Sequence, residues 1–131
     1  MINTGIKGKL ERTVTENITA RKIGSGELDV LATPALIALA EETAWKSVAD
    51  ELEPGQGTVG TRMDLSHIAA TPVGMKFYCE SELAAVDRRK LTFTITAYDE
   101  KEKIAEGTHD RFIVDNEAFQ TKADGKGDSN E

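Results

Sequence analysis

One long apolar helix, punctuated at both ends, most restricts what this chain can fold into. Thr33-Pro34 marks its start, because a threonine hydroxyl can accept a bond from an orphan backbone N–H and proline suits the first helical position. Pro54-Gly55 marks its end, so the sequence predicts a helix over residues 33–52. Ala35, Leu36, Ile37, Leu39, Ala40, Ala44, Trp45, Val48 and Leu52 spread over more than one of its faces. Such a helix must be largely enclosed by other elements. With 131 residues the chain can build one core but not two, so the enclosing elements must come from the same domain.

Those elements read as strands. Residues 6–19 place Ile6, Leu10, Val14 and Ile18 on one parity amid threonines and charges, and four further strands are predicted over residues 58–68, 75–86, 91–98 and 103–114. In the third of these, Leu91, Phe93, Ile95 and Ala97 alternate with Thr92, Thr94, Thr96 and Tyr98, the pattern of a sheet with one wet face. The connectors TPVG, DRRK and DEKE have hairpin length, so the four are read as an antiparallel meander. Residues 20–31 form a flexible connector around Gly24, Ser25 and Gly26, with a short strand near its end. The reading is an α+β domain over residues 1–115, an antiparallel sheet wrapped around one long central helix. The polar remainder, residues 116–131, ends in TKADGKGDSNE and is expected to be disordered.

Charge and punctuation exclude several functions. A net charge of −7 argues against nucleic acid or an anionic membrane as partner. No apolar run is long enough to span a bilayer and MINTGIKGKLERT lacks the apolar centre of a signal peptide, so a cytoplasmic location is expected. The single cysteine, Cys79, lies among Met75 and Phe77 and reads as a small buried hydrophobe. GSGELD lacks the third glycine of a dinucleotide fingerprint, and no G-x-S-x-G elbow is present. His67, His109 and Cys79 have no metal-ligand spacing, so neither metal nor separate cofactor is expected. His109, near Gly107 and Arg111 in the last strand, reads as structural or solvent-facing.

The segment LEPGQGTVGTRMDLSHIAATPVG, residues 52–74, carries the chemistry. Its odd positions from Val59 through Thr61, Met63 and Leu65 to His67 are predicted to face the core. An imidazole on an apolar face must find a hydrogen-bond partner or shift its pKa, and it is the side chain suited to proton transfer near neutral pH. Pattern alone favours a satisfied core histidine over a catalytic one.

Three stretches change that balance. TPALIALAEETA at the helix, EPGQGTVGTRMDLSHIAATPVG through the next strand and EKIAEGTHDRFIV in the last strand resemble the fluoroacetyl-CoA thioesterase-like branch of the hotdog-fold superfamily, over residues 6–114. The resemblance implies hydrolysis of an acyl-CoA thioester in a homodimer, with sites at the subunit interface and dimers able to pair further. By matching position it places the catalytic threonine on Thr33, the glutamate on Glu41 and the histidine on His67. The glycine whose backbone N–H holds the thioester oxygen falls on Gly60. Thr33 also reads as a helix cap, and Gly60 as a bulge or close backbone approach. Glu41 is preferred to Glu42 because it lies on the side of the helix expected to be enclosed. Members specialised for fluoroacetyl-CoA carry aromatics before the helix, whereas residues 20–31 here contain no Phe, Tyr or Trp, with Gly24 and Glu27 in that region. The expected acyl group is therefore undefined or short. Arg62, Arg88, Arg89 and Lys90 are available for the CoA phosphates.

Helical geometry adds a constraint of its own. Thr33 and Glu41 are eight residues apart, about 12 Å along one helix, so one chain's pair cannot touch directly. Residues from two subunits are expected to complete the site. In the general-base route His67 activates a water or the Thr33 hydroxyl; in the alternative, Glu41 attacks directly and forms an anhydride. A non-hydrolytic acyl-CoA-binding protein and a hydratase or dehydratase on the same fold are the competing functions.

Overall fold

The computed structural model describes residues 2–127, and its regular elements follow the predicted order with adjusted bounds. Strand β1 spans Lys7–Thr13, α1 is the single turn Ala20–Ile23, and α2 is the helix Thr33–Val48, extended by a 3-10 turn over Ala49–Glu51. Strands β2 Gln56–His67, β3 Lys76–Asp87, β4 Lys90–Asp99 and β5 Lys103–Asp115 follow, then α3 over Asn116–Asp124. The first strand stops at Thr13, short of the predicted residue 19, because the backbone turns into a 3-10 segment at Glu16–Ile18.

All five strands form one antiparallel sheet in the order β1-β3-β4-β5-β2. The expected four-strand meander is therefore only three strands long. β2 pairs along its length with β5 at the far edge, Gln56 opposite Asp115 and His67 opposite Ala105. The TPVG segment is a crossover rather than a hairpin. Its backbone groups are taken by the connector before α2: the Leu31 N–H donates to the Thr71 carbonyl at 2.8 Å, and Val30 bridges Pro72. Beneath it the Thr71 hydroxyl donates to Asp99 at 2.8 Å.

The core lies between α2 and the concave face of the sheet. Leu36, Leu39, Ala40, Ala44 and Val48 of the helix are buried against Phe77, Leu83, Leu91, Phe93, Ile95 and Ile104. Burying one such aliphatic or aromatic side chain contributes about 1.5–3 kcal/mol. Enclosure of the helix is one-sided, however. Thr33 and Trp45 are exposed and Ile37 and Glu41 half-buried, and these four follow one another at four-residue spacing, so one stripe of α2 is left uncovered. The outer face of β4 is wet as the alternation predicts.

The segment after β5 departs from the expected coil. Asp115 caps α3 by accepting from the Ala118 N–H at 3.1 Å, and Gln120 donates to Asp124 at 3.0 Å. These local bonds form the helix although none of its residues is buried. Residues 128–131 of the expected tail lie outside the described residues. No helix among the described residues is long and apolar enough to cross a membrane.

Candidate active site

Where α2 begins and β2 ends, Thr33 Oγ1 stands 2.8 Å from Nδ1 of His67. The predicted capping role of Thr33 is not what the structure contains. Ala32 is the N-cap, with no side-chain cap bond, and Thr33 is the first helical residue. A side chain one position inside the helix cannot fold back on the first turn as a cap does, so its hydroxyl is free for the imidazole. Both groups line a cavity of about 260 Å³, with Ala20, Ser25, Leu31 and Ile68 among its walls.

Burial holds the His67 imidazole below its ordinary value of 6.5, and the backbone at Ala69 opposes this only in part. Its Nε2 is buried and makes no hydrogen bond to any described residue. If the hydroxyl donates to Nδ1 of a neutral ring, the ring proton must sit on Nε2, a buried donor with no acceptor. Leaving such a group unpaired costs about 1–3 kcal/mol. The pair is thus suited to take a proton from a hydroxyl, and it is short of one acceptor.

The other two predicted residues sit further along the same two elements. Glu41 Oε2 lies 3.6 Å from Arg111 Nη1 of β5. The guanidinium is nearly buried and tightly held: Nε donates to Thr58 Oγ1 at 2.7 Å, Nη2 to the Thr58 carbonyl at 2.9 Å and Nη1 to His109 Nε2 at 3.1 Å. Burial lowers the Arg111 pKa from its ordinary value while Glu41 opposes the shift. Gly60 completes this group. A Cβ there would lie 2.5 Å from Glu41 Oε2 and 3.3 Å from Arg111 Nη1, so no larger residue fits without displacing the carboxylate. One chain brings Thr33 to His67 and Glu41 to Gly60, and does not bring the two pairs together.

A bulge in β2 produces this arrangement. The register with β5 shifts between Gly60 and Arg62, leaving Thr61 as the extra residue. Beyond it Met63, Leu65 and His67 face inward as the odd-position pattern predicts. Before it the parity is reversed: Gly60 faces Glu41, Thr58 faces Arg111, and Val59 pairs on the outer face with exposed Phe112. The inward assignment of Val59 and Thr61 is therefore corrected, because an added residue inverts a period of two. Thr58 was missed for the same reason, and Arg111 because its partners Glu41, Thr58 and His109 meet only in the fold. The available signal was a cation in the GTHDRFIV strand, on the same parity as the buried His109.

Other expected groups resolve more simply. Glu42 turns from the cluster to Lys46 at 2.6 Å and Arg12 at 3.2 Å, and the Lys46 bond chiefly lowers its pKa. Arg62, Arg88, Arg89 and Lys90 are exposed, Arg88 and Arg89 in the β3–β4 turn and Lys90 at the start of β4. Cys79 is fully buried and its thiol pKa is pushed up to about 12, as suits a packed hydrophobe. No group of three or more His, Cys, Asp or Glu among the described residues is arranged to hold a metal ion.

The chain is similar in sequence and fold to proteins of known activity. Residues 14–117 match the family described as fluoroacetyl-CoA-specific thioesterase. The chain is 36% identical over 94 residues to the fluoroacetyl-CoA thioesterase of Streptantibioticus cattleyicolor, covering 72% of this chain and 68% of that protein. It superimposes on the solved structure of the fluoroacetyl-CoA thioesterase FlK with a TM-score of 0.90 at 30% identity, over 96% of this chain and 98% of the other. A Thermus thermophilus protein of the thioesterase superfamily, TTHA0967, shares the fold with a TM-score of 0.89 at 21% identity, over 99% and 98% of the two chains. The chain belongs to the fluoroacetyl-CoA-specific thioesterase family, thioester hydrolases with the hotdog fold.

Proposed function

We propose that this protein hydrolyses a short-chain acyl-CoA to the free acid and CoA at sites shared between the two subunits of a homodimer. The observation that carries the reading is the 2.8 Å contact between an exposed Thr33 hydroxyl and Nδ1 of His67, at the wall of a cavity. His67 takes a proton from the Thr33 hydroxyl, or from a water that Thr33 orients, as the oxygen attacks the thioester carbonyl. The C–S bond then breaks and the CoA thiolate leaves, taking up the proton held by His67; where Thr33 attacked, a water deprotonated by His67 next cleaves the acyl-Thr33 ester, releasing the free acid and restoring the hydroxyl. The unpaired Nε2–H calls for an anion, and Glu41 is the carboxylate the site reserves for it. The Gly60 backbone N–H supports the oxyanion.

Within one chain Gly60 and His67 are seven residues apart on a strand, about 20 Å, so Glu41 and Gly60 serve the His67 of the other subunit. β2 supports that arrangement because it ends the sheet and its outer edge has no strand partner among the described residues. A long uncovered edge is a template for pairing with another chain. Antiparallel pairing of two β2 strands about a two-fold axis near Met63 and Asp64 sets Gly60 of one subunit opposite His67 of the other. It also covers the open stripe of α2. The β3–β4 turn, with Arg88, Arg89 and Lys90, lies at the Gly60 end of its sheet and so comes close to the partner's cavity, where those cations can meet the CoA phosphates. The chemistry needs no cofactor beyond the CoA of the substrate, and we place the enzyme in the cytoplasm, where acyl-CoAs are made and used.

Each chain contributes the Thr33–His67 cavity, about 260 Å³ before the partner subunit adds its own walls. Its walls before α2 carry no aromatic residue, so discrimination for fluoroacetyl over acetyl is expected to be weak. Thiol release from acetyl-, fluoroacetyl-, medium-chain and aromatic acyl-CoAs tests the reading. Release that is fastest for the short esters, and that falls about 10²-fold or more in His67→Ala, supports it. Tight CoA-ester binding without release would replace it with a non-hydrolytic role.

A further inference from the structure

His109 is the most buried titratable side chain near the site, at 1% exposure, and the reaction as described does not use it. Its two ring nitrogens face partners of opposite kind. Nδ1 lies 2.8 Å from the carbonyl oxygen of Arg62, which can only accept, so Nδ1 carries the proton. Nε2 lies 3.1 Å from Arg111 Nη1, which can only donate, so Nε2 holds its lone pair. The ring is therefore neutral with its tautomer set by the two neighbours. Protonation would turn an N–H toward a cationic N–H. Burial lowers the His109 pKa first, and the Arg111 charge adds to that, against the Arg62 carbonyl, Glu41 and Asp110.

The two bonds join the parts that have to keep register. Arg62 follows the bulged Thr61, so its carbonyl reports the position of the bulge that turns Gly60 toward Glu41. Nη1 of Arg111 is the atom that approaches Glu41. Thr58 holds the Nε and Nη2 sides of the guanidinium, and among the described residues His109 makes the one hydrogen bond to the Nη1 side.

We propose that His109 is a positioning residue for thioester hydrolysis: its neutral imidazole braces Arg111 against the β2 bulge, so that Glu41 and Gly60 hold their places in the site. The inference rests on the proposed roles of Glu41 and Gly60, and it is tested by kcat and KM for thiol release in His109→Phe, His109→Gln, Arg111→Met, Glu41→Gln and the His109→Phe/Arg111→Met double variant. Loss of the brace should lower kcat about 10- to 100-fold with little change in KM, as expected of small misplacements of reacting groups. His109→Gln should recover most of this, because its amide can donate to Arg62 and accept from Arg111. The double variant should be no slower than Arg111→Met, since residues acting through one another do not add. Additive losses, a His109→Gln as slow as His109→Phe, or an unimpaired His109→Phe beside an impaired Glu41→Gln would overturn the brace alone. Unchanged rates in both Glu41→Gln and Arg111→Met would instead overturn the site reading and the brace with it. If His109→Phe does not fold, nitrogen-15 NMR of the wild type decides: an Nδ1–H tautomer at pH 7 supports the brace, and an Nε2–H or doubly protonated ring refutes it.

Discussion

The two ends of β2 are built in opposite ways. At its C-terminal end His67 has the Thr33 hydroxyl at Nδ1, a second nitrogen with no hydrogen-bond partner among the described residues, and a cavity beside it. Toward its N-terminal end Gly60 faces Glu41 and Arg111, where the guanidinium is held on three sides and a methyl on Gly60 would have to move the Glu41 carboxylate. The first end is left incomplete in a way that favours proton transfer; the second is over-determined in a way that favours holding a charge still. A catalytic residue needs a free valence, and a positioning group needs none. That the two ends lie on one edge strand makes a two-fold copy the economical way to join them.

The comparison breaks most visibly at the open end. Thr33→Ala and His67→Ala should each lower thiol release by about 10²-fold or more while leaving melting temperature close to wild type, since neither group is in the core. Equal activity in Thr33→Ala would leave an oriented water as the nucleophile and refute a covalent role for the hydroxyl.

At the tight end, stability should suffer together with activity. Gly60→Ala places its methyl against the Glu41 carboxylate and should cost about 1–3 kcal/mol in urea unfolding, with a rate loss beside it. A Gly60→Ala protein of unchanged stability would mean that Glu41 moves aside freely and that the cluster is not rigid.

Mixing the ends tests the shared site. Glu41→Gln and His67→Ala are each expected to be nearly inactive, and heterodimers of the two should regain about half of wild-type activity per heterodimer, or about a quarter in a randomly reassorted mixture, because one of the two sites is then intact. No recovery would place all catalytic groups within one subunit.

pH gives a smaller effect with a definite sign. Burial lowers both His67 and His109 below 6.5, so the folded state binds protons less readily than the unfolded one. Their contribution to stability is full above pH 6.5 and is lost as pH falls from there toward the folded values. Thermal melts between pH 8 and 5 should show a plateau and then a decline, and His109→Gln should shallow the decline. The smallest effect is expected far from either end: Asp115→Ala removes the α3 cap, should cost about 1 kcal/mol of local helix stability by hydrogen exchange and should leave thiol release unchanged.

Much of this was legible in the sequence, and most of the misses share a cause. The elements of the sheet and helix α2 followed from periodicity and from Pro and Gly punctuation, and Thr33, Glu41, His67 and Gly60 were marked by resemblance. Val59 was turned the wrong way because nothing local in GTVGTRM announces that Thr61 is an extra residue; the bulge exists only relative to β5. TPVG carries the composition of a tight turn, and only the pairing of β2 with β5 makes it a crossover. α3 was missed for a different reason: its polar composition masked a capped helix that needs no core.

By itself the sequence determined most of the helix and strand segments and that one helix must be wrapped, since these depend on dihedral preference and on spacing within a few residues; the residues proposed for the chemistry were marked by resemblance. Only the tertiary structure decided which residues meet: that Thr33 gives its hydroxyl to His67 instead of capping, that Arg111 faces Glu41, and that His109 spans the bulge. Those contacts join residues far apart along the chain, and their geometry comes from register between strands, which no local pattern encodes.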